Sequence, residues 1–115
     1  FKGWISNPKT YYLKSKILVF PSLYEGLPNT LIEAINYNLP CISTRCSGAP
    51  DILTEKYGSY IPMLDHQILA KKMISLILNY NQNLLNNKKI KNKLTRFLIK
   101  PQISKYINYC NNILN

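Results

Sequence analysis

Acidic residues are scarce in this chain, with five Asp and Glu against 15 Lys and Arg in 115 residues. Cysteine is scarcer still. Cys41, Cys46 and Cys110 are odd in number and form no C-x-x-C pair, which argues against both a disulfide framework and a zinc site. They fit a reducing cytosol, where a buried thiol serves as a small apolar group. His66 is the only histidine, and directly after Asp65 at an expected helix start it reads as a solvated residue. No D-x-D occurs, and Asp51 and Asp65 stand far apart. No apolar run is long enough to span a bilayer, and no signal-peptide pattern opens the chain. Internal repeats and disordered linkers are also missing. Phe1 is not an initiator methionine, so a longer parent protein is expected.

What is present is a strong basic surplus, a net charge of +10. Such a surplus suits nucleic acid, an acidic membrane surface or phosphate-bearing ligands. It equally suits a coding bias, since Lys, Asn and Ile are abundant together. A hydrophobic fraction of 46% is ordinary for a packed protein. The length fits one small domain or half of a larger one.

Along the chain, "KILVFP" (16–21) reads as a short buried strand ending at a proline. Helical spacing of Leu31, Ile32, Ala34 and Ile35 follows from about Asn29, and "NYNLP" ends that helix. "CIST" (41–44) is a second strand, and the βαβ unit makes the two parallel. "SGAP" leads into a short helix, "PDILTE", with Pro50 in its first turn. "YGSYIP" reads as a further strand. Asp65 caps a helix with the apolar face Ile68, Leu69, Met73, Leu76 and Ile77. Upstream, "NPKTYYLKS" reads as a short helix preceded by a strand-and-turn, "FKGWIS". The alternation predicts an α/β fold, a Rossmann-like doubly wound parallel sheet. Residues 82–100 are polar, with Lys88, Lys89, Lys91 and Lys93 clustered. After Pro101, a stripe of Ile103, Tyr106, Ile107, Cys110, Ile113 and Leu114 repeats on one helical face. The reading is a domain over residues 1–80 and a basic C-terminal helical segment over 81–115.

"LYEGLPNTLIEA" (23–34) concentrates two of the five acids, Glu25 and Glu33. The stretch lies at the carboxyl end of a strand, where open parallel sheets bind ligands. The helix beginning near Pro28 or Asn29 offers free amides and partial positive charge to a phosphate. Gly26 permits close backbone approach. Glu33, one turn in, faces back toward the same crevice, and a carboxylate can take two hydroxyls at once, as on a ribose. The plainer alternative is that Glu25 braces a loop and Glu33 is a solvated helix residue.

"PSLYEGLPNTLIEAINYNLPCIST", "SGAPDIL" and "KYGSYIP" resemble the C-terminal nucleotide-sugar domain of glycosyltransferase family 4, retaining enzymes of the GT-B fold. "GWISNPKTYYLKSKILVFPS" matches the family's run-in, so the likeness covers about residues 3–78. It is closest to bacterial lipopolysaccharide and capsule enzymes. The resemblance implies that Glu25 contacts the donor sugar and serves catalysis, while Glu33 holds the ribose hydroxyls. It sets Gly26, Leu27, Pro28, Asn29 and Thr30 beside the diphosphate and sugar, and Gly3 and Ile5, at a strand end, beside the base. It implies a nucleotide-sugar donor, no metal or other cofactor, a lipid-linked or glycan acceptor, and a partner N-terminal acceptor domain. A basic pair on the donor phosphates belongs upstream of Phe1. Two departures stand out: Tyr37-Asn38 replaces a small pair, with Asn38 able to take the left-handed cap, and Arg45 stands where an acid is common.

The expected activity is therefore hexosyl transfer in cell-surface polysaccharide synthesis, in the cytoplasm or on the inner face of the plasma membrane, where the basic tail suits peripheral contact with anionic lipid. The rival is a truncated or split-gene nucleotide-binding module without transferase activity. Nucleic acid is not an expected partner, because the nine tyrosines are scattered rather than interleaved with basic residues.

Overall fold

Three short strands pair in parallel, and the chain builds the rest of the molecule around them. In a computed structural model, residues 2–53, 59–97 and 99–114 are described. The strands are β1 (Leu18–Phe20), β2 (Cys41–Thr44) and β3 (Ser59–Ile61), in the order β1-β2-β3. Leu18 pairs with Cys41 and Ile42 with Ser59, so β2 is central, and all four of its residues are buried. That burial on both faces explains why "CIST" lacks the polar alternation of a half-exposed strand.

Helices cover both faces. α1 (Lys9–Lys14) precedes β1, α2 (Asn29–Asn36) joins β1 to β2, and α3 (Ala49–Ile52) follows β2. α4 (His66–Leu78), α5 (Tyr80–Lys93), a 3-10 turn (Leu94–Phe97) and α6 (Ile99–Leu114) complete the chain. Leu31, Ala34 and Ile35 of α2 pack with Cys41, Ala49, Ile52, Ile90 and Leu94 on one side of the sheet. On the other side Ile42, Ile61 and Leu76 form a smaller core, lined by Ile17, Ile68, Leu69 and Met73. Burial of a side chain the size of Leu31 or Ile35 contributes about 1.5–3 kcal/mol each. The arrangement is the Rossmann-like, doubly wound parallel sheet expected for a GT-B enzyme, with a helical C-terminal tail.

The boundaries follow local chemistry. Asp65 caps α4, accepting the Ile68 amide at 2.8 Å. Asn38 takes φ 61°, and the amides of Asn38 and Leu39 bond back to the carbonyls of Ile35 and Ala34, both at 2.9 Å. This is a Schellman cap with Asn in place of glycine. Leu39, buried by that turn, leads directly into β2.

Several expectations are corrected or limited. "FKGWIS" forms no strand over residues 2–6: Gly3 sits at φ 65°, outside extended geometry, and no described strand pairs with the segment. Ile77 is exposed rather than part of the apolar face of α4, which rotates past the sheet after Leu76. The polar stretch 82–100 hides Ile90 and Leu94, which join the core that α2 builds, with Phe97 half-buried against it. Lys91 is likewise engaged, donating to the Asn36 carbonyl at the end of α2 at 2.7 Å. Of "PDILTE" and "YGSYIP", residues 54, 55, 57 and 58 lie outside the described residues. On α6, the stripe residues Ile103, Tyr106, Ile107, Cys110 and Ile113 are all exposed.

Candidate functional site

Phe20 ends β1, and the chain then crosses the carboxyl edge of the sheet before α2 begins. Three side-chain and backbone contacts hold this crossing in place. Thr44, at the end of β2, donates its hydroxyl to the Ser22 carbonyl. Ser22 Oγ lies 2.9 Å from Glu25 Oε1 and 3.1 Å from the Tyr24 carbonyl, a hydroxyl shared between two acceptors. The buried end of the central strand therefore fixes the position of the half-buried Glu25.

Gly48 supplies the third contact. A Cβ there would lie 1.9 Å from the Gly26 carbonyl oxygen and 2.9 Å from Pro28 Cδ. Only glycine lets the turn after β2 press against the loop after β1. Gly26 has the opposite surroundings, with nothing within 4 Å of a Cβ built on it. Its open side is free for a ligand. Leu27 is exposed, Pro28 buried, Asn29 exposed and Thr30 half-buried.

Pro28 is the N-cap of α2, and no side chain caps that end. Its ring removes one donor and offers no acceptor, which leaves the first-turn amides of Asn29 and Thr30 without a side-chain partner. The Leu31 amide bonds the Pro28 carbonyl at 3.0 Å, closing the first turn. A helix start of this kind suits an anion.

Glu33 lies one turn further on. Its Oε2 accepts the Tyr12 hydroxyl at 2.9 Å. Tyr37, four positions along the same helix face, stacks on the Tyr12 ring with centroids 5.3 Å apart. Glu33, Tyr12, Tyr37, Asn7, Pro8 and Lys9 line a cleft of about 180 Å³. Asn7 Oδ1 also accepts the Lys9 amide at 3.1 Å, shaping the start of α1. Burial first, and the contact with Glu33 second, push the Tyr12 phenol up to about 12.

The structure thus gathers Glu25, Gly26, Leu27, Pro28, Asn29 and Thr30 into one clamped loop and sets Glu33 in a neighbouring cleft. Glu25 is not among the residues lining that cleft. Gly3 is exposed and Ile5 half-buried, both upstream of the cleft's Asn7 and outside its lining. His66 is an exposed first residue of α4. Arg45 lies over the Tyr60 ring, 5.7 Å from its centroid, a cation–π contact on the turn after β2. Among the described residues, no three His, Cys, Asp or Glu side chains come together as metal ligands. Ser22, Thr44, Gly48 and Tyr12 are the contributors that spacing alone did not single out; "CIST" and "SGAP" carry two of them in plain view.

The site is thus a clamped loop at the carboxyl end of a parallel strand, carrying Glu25 and followed by an uncapped helix start, with Glu33 in the cleft beside it. The chain belongs to the family "Glycosyl transferases group 1", which matches residues 1–79. It is 33% identical over 93 residues to the GalNAc-alpha-(1->4)-GalNAc-alpha-(1->3)-diNAcBac-PP-undecaprenol alpha-1,4-N-acetyl-D-galactosaminyltransferase of Campylobacter jejuni, covering 77% of this chain and 26% of that protein. With the lipopolysaccharide 1,6-galactosyltransferase of Salmonella typhimurium it shares 42% identity over 53 residues, 42% of this chain and 14% of that one. The chain therefore spans about a quarter or less of these relatives. In fold it is similar to TarM, with a TM-score of 0.79 and 23% identity over 93% of this chain and 22% of TarM.

Proposed function

We propose that this chain is the donor-binding, C-terminal half of a retaining family 4 glycosyltransferase, which moves a hexosyl-type sugar from a nucleotide-sugar to a lipid-linked glycan. The observation that carries the reading is the clamped Ser22–Thr30 loop, with Glu25 fixed by Ser22 beside the uncapped start of α2. Membership in the glycosyl transferases group 1 family supports it, and so do relatives named for lipopolysaccharide and undecaprenol-linked glycan synthesis.

In this reading Glu25 orients donor sugar hydroxyls, while Glu33 takes the ribose diol. Gly26 to Thr30 face the diphosphate and sugar, and Gly3 and Ile5 border the base. The leaving group is a nucleoside diphosphate, so charge grows on the phosphate oxygen as the bond to the sugar breaks. The amides of Asn29 and Thr30 and the dipole of α2 meet part of that charge in advance, with no reorganisation needed during reaction. Basic residues in the rest of the enzyme supply the remainder, and the arrangement requires no metal. Residues 1–80 form the donor domain and 81–115 the basic helical segment. A separate N-terminal domain carries the acceptor, at the cytoplasmic face of the membrane, where the +10 charge favours anionic lipid. Among the described residues no helix is long and apolar enough to cross a membrane.

The test is kinetic. In the full-length enzyme Glu25→Gln should cut turnover by about 100-fold or more, in keeping with loss of a transition-state contact. Near-normal turnover would remove Glu25 from the chemistry. The second reading is a nucleotide-binding module that transfers nothing alone. It predicts nucleotide binding by this chain with no sugar transfer from any donor in any natural assembly.

A further inference from the structure

Glu33 has a partner 21 positions away in sequence, on a different helix. Tyr12 of α1 donates its hydroxyl to Glu33 Oε2, and its ring is held face to face with Tyr37, the planes 15° apart. Glu33 and Tyr37 come from the same face of α2, so the Tyr12 ring is gripped at both ends: by hydrogen bond at one and by stacking at the other. Among the described residues Glu33 Oε1 accepts no protein hydrogen bond. The carboxylate is otherwise exposed on its helix, and an exposed Glu samples several rotamers.

We propose that Tyr12 is a positioning residue, whose hydroxyl occupies Oε2 and fixes the Glu33 carboxylate so that Oε1 is offered to a nucleotide's ribose in the cleft beside it. This deepens the ribose assignment of Glu33 and rests on it. A carboxylate held by one donor loses less freedom when it accepts a second, which is the general advantage of preorganisation. The oxygens are also divided without competition, since an ionised carboxylate offers about four lone-pair positions. The Tyr37 stack keeps the phenol ring from swinging away when the cleft is empty. In this way Tyr37, where the family resemblance leads one to expect a small residue, acquires a use.

Tyr12→Phe keeps the ring and the stack and removes only the hydroxyl. In the full-length protein, affinities for UDP, GDP and ADP and for their 2′-deoxy forms are measured by titration calorimetry. Wild type should favour the ribose form of its nucleotide by about tenfold, the scale of one hydrogen bond to a charged group. Tyr12→Phe should lose most of that preference while binding the 2′-deoxy form as before. In a Glu33→Ala background the same change should alter nothing, because Tyr12 acts through Glu33. Equal losses for ribo and deoxy forms, no loss at all, or an undiminished effect in the Glu33→Ala background would each overturn the proposal. A wild type blind to the 2′-hydroxyl, or one that binds no nucleotide, would instead overturn the ribose assignment itself, and the role of Tyr12 with it.

Discussion

Gly48 lies so close to Gly26 that an added methyl would fall 1.9 Å from the Gly26 carbonyl oxygen. The obstacle is backbone, which cannot swing aside as a long side chain can. Gly48→Ala should therefore lower unfolding stability by about 1–3 kcal/mol, read as a drop in the urea midpoint. Gly26→Ala, whose methyl meets open space, should leave the midpoint within about 0.5 kcal/mol of wild type. If the loop seats a nucleotide-sugar, the same Gly26→Ala change should weaken donor binding without touching stability.

Asn38 supplies a second backbone test. At φ 61° a β-branched residue is strained by roughly 1–2 kcal/mol, while Asn and Gly tolerate the conformation. Asn38→Val should thus shift the urea midpoint down by that amount. Asn38→Gly should match or exceed wild type, and a Gly variant as unstable as the Val variant would mean that the side chain, not the backbone, matters there.

The three thiols differ in access. Cys41 and Cys46 are buried and Cys110 is exposed. Burial also pushes the Cys41 thiol up to about 12, and it donates to the Leu39 carbonyl at 3.2 Å. A thiol-reactive reagent should modify Cys110 alone in the native protein and all three cysteines after denaturation. Native Cys110→Ser should take up no label, and a label retained by that variant in its mass spectrum would overturn the assignment.

Tyr12 makes stability depend on pH at the alkaline end. Its phenol is raised from 10 to about 12, so folding favours the protonated form. The contribution is fully present below pH 10 and is lost as pH climbs from 10 through 12. Denaturation midpoints of wild type and Tyr12→Phe should converge across that window, and the phenolate absorbance that Tyr12→Phe removes should be the part that develops towards pH 12.

Much of this was legible in the residues themselves. "KILVFP" and "CIST" declared strands, although β1 is half-buried rather than buried and only β2 is fully enclosed, and Asp65 and Asn38 declared caps through local chemistry that needs no distant partner. What escaped was tertiary. The Ile90 and Leu94 side chains bury in the core that α2 builds although the sequence around them is dominated by Asn and Lys, so their stripe is too sparse to register as periodicity. "FKGWIS" has apolar content suited to a strand, yet Gly3 takes a positive φ, and nothing local in the sequence forces that choice. The site divides in the same way. Glu25, Glu33 and the helix start near Pro28 were picked out by their place after a strand together with the family resemblance, whereas the Thr44–Ser22–Glu25 relay and the Tyr12 contact join segments that only the folded sheet brings together.

The parallel register carries one more implication. Leu18 meets Cys41, 23 positions on, and Ile42 meets Ser59, so each ladder joins residues far apart in the chain although the strands follow one another in sequence. Such pairing closes long loops before any reward is gained, which slows folding and ties the strands to one another. Amide protons of β1, β2 and β3 should accordingly exchange with deuterium as a single protected block, opening together rather than fraying strand by strand.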